Sequence, residues 1–96
     1  MASQGLKMTE FEISFAEKLL SALNLDEDVE IDSITRDTPL FGDEGLELDS
    51  IDAIEIEVMV KQEFGIDILP AERNRSTFGS FGILADFVLT NRERDV

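Results

Sequence analysis

The run Leu46-Glu47-Leu48-Asp49-Ser50-Ile51-Asp52-Ala53-Ile54-Glu55-Ile56 sets a single serine at the head of an acidic, apolar-striped segment. A hydroxyl nucleophile needs a base beside it, and the usual base is an imidazole. The chain has no histidine and no cysteine. Ser50 is therefore read as a residue that another enzyme acts on, not one that attacks a substrate itself. The same absences exclude disulfides, thiolate metal sites and cysteine nucleophiles, together with the common zinc and triad arrangements. No paired acid and base with a cause for shifted acidity can be named among the carboxylates. The expectation is a protein with no catalytic residues, no metal site and no enzymatic activity.

A serine or aspartate at this point also suits plain helix capping, and Asp52 in the first turn is favoured by the helix dipole. The same geometry suits a covalently attached phosphodiester, because exposed backbone N–H groups and the positive helix end stabilise a phosphate there. At about 100° per residue from Ile51, Ala53, Ile56, Val60 and Phe64 fall within roughly 140° to 220°, which predicts the core face of a helix. Ile51, Ile54 and Val58 fall on almost the opposite side, with Asp52 and Glu55 beside them. A surface helix has no structural need for this second apolar stripe. It either packs under the loop over 24–48 or forms a docking face for apolar side chains and cations of a partner. Between Asp43 and Glu63 stand eight acidic residues and one base, Lys61, so half of the net charge of −14 lies in about a fifth of the chain. That concentration favours docking.

Other elements must position this segment. Thr9-Glu10-Phe11-Glu12 has the capping-box form, and Phe11, Phe15, Leu19, Leu20 and Leu23 recur at helical spacing, predicting a first helix to about Leu23. Residues 24–48 form a long connection with Thr38-Pro39, Gly42 and Gly45 as turn signals. Leu25, Val29, Ile31, Ile34, Leu40, Phe41, Leu46 and Leu48 would pin it to the core, with one helical turn around Ile31 to Thr35. The second helix is predicted over 49–64, ended by Gly65. A short third helix is predicted from Pro70 to about Asn74, with Arg73 to Arg75 and the run over 76–82 read as a turn. Ser80 then caps a last helix whose Phe81, Leu84, Ala85 and Val88 share a face, fraying from Asn91. The fold class is all-α: a small bundle of three main helices and one short one, with a long loop between helices one and two. The expected limits are an N-terminal tail over 1–8, one domain over 9–90 and a C-terminal tail over 91–96.

With 96 residues and 43% apolar content, one small core is within reach. The acidic balance argues against nucleic acid, whose phosphates need cations, and suits partners with basic patches. No stretch approaches the roughly 20 apolar residues of a membrane span, and Met1 to Met8 has no apolar core of signal-peptide length. A soluble, cytoplasmic monomer that does not engage membranes is the expectation.

Asp49-Ser50-Ile51-Asp52-Ala53-Ile54-Glu55-Ile56, followed by Phe64-Gly65-Ile66-Asp67-Ile68, resembles the helix-two signature of acyl carrier proteins. The upstream amphipathic helix, the loop with Thr38-Pro39-Leu40, the short third helix and the final Asp86-Phe87-Val88 helix follow that family's order, over about Thr9 to Leu89. The resemblance implies that Ser50 carries 4′-phosphopantetheine, received from coenzyme A through a phosphopantetheinyl transferase. The arm's thiol would hold acyl groups as thioesters for fatty acid or polyketide enzymes: a ketosynthase, an acyltransferase or ligase, and other synthases with basic docking patches. Asp49 would help the transferase position its metal and substrate. Ile51, Asp52, Ile54, Glu55 and Val58 would form the recognition helix, and Ala53, Ile56, Val60, Phe64 and Ile68 the core against which an acyl chain shelters.

Three departures stand out. Glu47 occupies a position, two before the aspartate, where the family often has glycine. Glu57 falls at the rim of the core face, where a buried carboxylate would cost several kcal/mol unless paired, so it should reach solvent or meet an arginine. The segment over 76–82 is longer than the family's common pattern. Together they point toward a specialised carrier of the polyketide or aryl-polyene type. Rival readings are a carrier of aminoacyl cargo and an acidic interaction domain without an arm. A calcium loop starting at Asp26 is excluded, since Ile31 and Asp37 stand where glycine and glutamate are required.

Overall fold

The computed structural model describes residues 8–43 and 45–94, the last two by backbone alone. Four helices follow in order: α1 (Glu10–Ala22), α2 (Ser50–Phe64), α3 (Arg75–Phe78) and α4 (Phe81–Arg94), with 3-10 turns at Ile31–Ser33 and Pro70–Glu72. The expected all-α bundle with a long first loop is what the chain forms. The only strand-like feature among the described residues is a single parallel bridge between Phe41 and Leu48.

α1 begins where the sequence placed it. Thr9 accepts from the Glu12 N–H, and Glu12 accepts from the Thr9 N–H, so two otherwise orphaned donors are satisfied reciprocally. Its apolar stripe buries Phe15, Ala16, Leu19 and Leu20. These meet Ile56 and Val60 of α2 and Phe81, Leu84 and Val88 of α4 in one core. Phe11, Phe15, Phe64 and Phe81 form its aromatic end, with ring centroids 5.8–6.0 Å apart. Met8, assigned by the sequence to a tail, is half-buried against this core, while residues 1–7 of that tail lie outside the described residues.

The long loop is held by its isolated apolar residues, as its spacing predicts. Ile34, Leu40 and Leu48 are buried, and Leu25, Val29, Ile31, Phe41 and Leu46 pack against them. Arg36 fixes it further. Its guanidinium binds Glu12 of α1 and, with both terminal nitrogens, Asp86 of α4. The bonds to Asp86 and then to Glu12 raise the pKa of Arg36 above its already high ordinary value, so it stays charged at any working pH. The Arg36 carbonyl also accepts from the Gly82 N–H at 2.9 Å. A Cβ on Gly82 would come within 2.8 Å of that oxygen, so glycine is what lets the loop lie against the start of α4.

Two stretches differ from expectation. Pro70 starts only a 3-10 turn, and the helical turn α3 follows at Arg75–Phe78, inside what the sequence reads as a turn. Asn74 makes the difference: its side chain accepts from the Ser76 N–H and donates to the Ala71 carbonyl, capping a new helix instead of closing the old one. At the other end α4 does not fray at Asn91 but continues to Arg94. There the Asn91 side chain donates to the Phe87 carbonyl, and the Arg92 guanidinium lies 4.8 Å over the ring of Phe11.

Candidate functional site at the start of helix two

The approach to α2 is strained before it is capped. Glu47 has φ of 54°, in the left-handed region that glycine enters freely and a glutamate does not. Glycine would take this shape at no cost, and this chain makes it with a glutamate. Gly45, at φ 66°, sits so close to Pro39 that a Cβ would fall 2.0 Å from its carbonyl oxygen. The chain turns through these two positions and delivers Leu48 into the core and Asp49 to the helix entrance.

Asp49 is the cap. Its Oδ1 accepts from the N–H groups of Ile51 and Asp52 at 3.0 and 3.1 Å, and Asp52 Oδ2 accepts from the Asp49 N–H at 2.9 Å. This corrects one part of the sequence reading. The N–H groups expected to be exposed for a phosphate are already taken by Asp49, so a phosphate on Ser50 gains the positive helix end more than free donors. It also clarifies the serine. Ser50, first residue of α2, is exposed and takes no part in the capping, so its hydroxyl is free to be esterified.

On one side of Ser50 lies the second apolar stripe. Ile51, Ile54 and Val58 are 65%, 58% and 49% exposed, so packing under the loop is ruled out for them. Glu55 is exposed among them, and Asp52 is half-buried. Ile54, Glu55 and Val58 also edge a shallow groove of about 590 Å³ shared with Lys18 and Ala22 of α1. The opposite face is the core: Ile56 and Val60 are fully buried, Ile68 is buried, and Phe64 is half-buried among the aromatic rings.

On the other side of Ser50 opens a larger groove of about 910 Å³. Of the five residues expected to shelter an acyl chain, only Ala53 borders it. Its apolar walls come instead from Phe41 of the loop, Phe78 of α3 and Ile83 of α4. The Phe41 and Phe78 rings meet edge to face at 5.6 Å and 86°. These residues lie 37 or more positions from one another or on a turn too short to show periodicity. Ile83 did leave a signal, being an apolar residue off the core face of α4 and 40% exposed. At the rim of the core face of α2, Glu57 receives Arg73 through two bonds of 2.7 and 2.8 Å, so of the two outcomes open to it, solvent or an arginine, it takes the arginine.

A family model described as the phosphopantetheine attachment site matches residues 17–73. The chain belongs to that family. No curated protein matches it, and no solved structure does. The matched stretch runs from the middle of α1 through all of α2 to Arg73. The protein is therefore a carrier of covalently bound 4′-phosphopantetheine, whose thiol supplies the thioester chemistry. The residues present fit such an arm, for the carrier offers an exposed, uncommitted hydroxyl at a capped helix start with an open groove beside it. No helix among the carrier's described residues is long and apolar enough to cross a membrane.

Proposed function

We propose that Ser50 is the attachment residue and that the chain is a non-enzymatic acyl carrier for fatty acid or polyketide synthesis, acting as a cytoplasmic monomer. The observation that carries this reading is the division of labour between neighbours. Asp49 takes the whole capping role, which leaves the Ser50 hydroxyl with no structural task at a point open to solvent. In the loading step Ser50 Oγ forms the new oxygen–phosphorus bond and gives up its proton to a base of the transferase. The nucleotide half of coenzyme A departs from the same phosphorus. The carrier has no imidazole or thiol to do this unaided.

Asp49, Ile51, Asp52, Ile54, Glu55 and Val58 serve in this reading as the face that the transferase, ketosynthase, acyltransferase or ligase docks on. The apolar residues supply desolvated contact, and the carboxylates steer cationic patches, an attraction weakened by salt as the screening length falls to about 10 Å at 0.1 M. The three departures from the family's common pattern favour a polyketide or aryl-polyene-type pathway.

Intact-protein mass before and after incubation with coenzyme A, magnesium and a broad-specificity phosphopantetheinyl transferase tests the assignment. One added phosphopantetheine on the wild type and none on Ser50→Ala is expected, with the variant's stability unchanged to within about 0.5 kcal/mol because the cap is elsewhere. An arm on Ser50→Ala would sink the residue assignment. A folded wild type that stays unmodified beside a loaded control would leave an acidic interaction domain.

A further inference from the structure

The groove beside Ser50 has one charged side chain with no assigned work. Acidic residues outnumber basic ones 22 to 8 in this chain, so a cation is expected to find a carboxylate. Lys18 pairs with Glu63, Lys61 with Asp67, Arg73 with Glu57, and Arg36 with Glu12 and Asp86. Arg92 lies over Phe11. Arg75 is exposed, borders the groove that Ser50 opens onto, and pairs with no acid among the described residues.

Its backbone is well fixed. Asn74 caps the turn that Arg75 begins, and the Arg75 carbonyl accepts from the Gly79 N–H at 3.0 Å. A Cβ on Gly79 would come within 2.7 Å of that carbonyl, so the close approach depends on glycine there. The groove thus sets a guanidinium of fixed origin against apolar walls from Phe41, Phe78 and Ile83. A guanidinium presents a planar fork that matches a carboxylate or phosphate bidentately. An all-apolar groove would suit plain alkyl cargo, and this one carries a guanidinium at its edge.

We infer that Arg75 is a specificity-determining residue that binds an anionic oxygen carried on the arm attached to Ser50. The inference rests on Ser50 as the attachment residue. The anionic oxygen has two sources: the arm's own phosphodiester, or a carboxylate at the free end of the cargo. The first would position the arm in every state, and the second would select dicarboxylic acyl groups over alkyl ones.

The test uses the full chain labelled with ¹⁵N in four states: apo, holo, butyryl-holo and succinyl-holo, each loaded on Ser50 from the corresponding coenzyme A thioester. The Arg75 Nε–H resonance and the amides of Phe78 and Gly79 are followed in the wild type and in Arg75→Gln. A shift between apo and holo assigns the phosphodiester, and a shift between butyryl-holo and succinyl-holo assigns the carboxylate. In either case Arg75→Gln should lose the response at Phe78 and Gly79 and lower groove occupancy roughly two- to fivefold, the range an exposed ion pair allows. Wild-type resonances that do not change across all four states, or a glutamine variant that reproduces every amide shift, would overturn the inference while leaving attachment intact. If mass shows no loading, the attachment reading fails and this inference fails with it.

Discussion

At the start of α1, Glu12 accepts from the Thr9 N–H at 2.9 Å, and Thr9 accepts from the Glu12 N–H at 3.1 Å. At the start of α2, Asp52 and Asp49 exchange bonds of the same lengths, 2.9 and 3.1 Å. What surrounds the two boxes differs. Glu12 is buried, and its second oxygen receives Arg36, which continues to Asp86. Asp52 meets no cation among the described residues, and the chain leading to it passes through the strained Glu47. An identical local device is wired into the fold in one place and left facing outward in the other. Capping stabilises both helix starts; only the first is made part of the protein's own framework.

Four variants test that contrast. Arg36→Met should cost about 1–3 kcal/mol in denaturant unfolding, because buried Glu12 loses the guanidinium that binds its second oxygen. A loss within a few tenths would mean the first box is no better integrated than the second. Asp49→Ala takes the shared acceptor from two N–H groups at once and should cost about 0.5–2 kcal/mol, read as a lower urea midpoint at unchanged slope. Glu47→Gly should raise stability by about 1 kcal/mol or less: removing the Cβ penalty in the left-handed region saves about 1–2 kcal/mol, and glycine's added freedom when unfolded takes back about 0.5–1 kcal/mol. No gain in midpoint would show that the position is not strained. Asp52→Lys with Glu55→Lys also gives up the bond from the Asp49 N–H, but its main effect should be functional, slowing transfer to partner enzymes chiefly at low salt. Unchanged partner kinetics at low salt would remove these carboxylates from the docking face.

Much of the architecture is legible in local pattern. The capping box at Thr9, the stripe from Phe11 to Leu23 and the stop at Gly65, whose φ is 70°, all act within a few residues. For Glu57 the outcome could be narrowed in advance to solvent or an arginine, because burial of a lone carboxylate is too costly to leave unanswered. What was not legible depends on distant partners. α3 is four residues long and rests on an asparagine whose amide bridges to Ala71. The extra turn of α4 follows from Arg92 reaching Phe11 on another helix. The groove beside Ser50 draws its walls from the loop, α3 and α4, and no period along the chain links Phe41, Phe78 and Ile83. The left-handed turn at Glu47 was hidden because glutamate gives no sign of it.

Phe41 and Phe78 give that groove a latch. One ring hangs from the loop and the other from α3, so the bore is set by two rings gripping each other and not by a continuous wall. Parting such a pair forfeits about 0.5–1.5 kcal/mol, while each methylene taken out of water returns about 0.8 kcal/mol. The break-even length is then about two buried methylenes. On that balance a chain shorter than this would leave the two rings together, and a longer one would part them. Cargo entering here would be sorted by a threshold in length, visible as an abrupt change in the two ring resonances between consecutive members of an acyl series. A smooth drift across the series would mean the rings yield gradually and sort nothing.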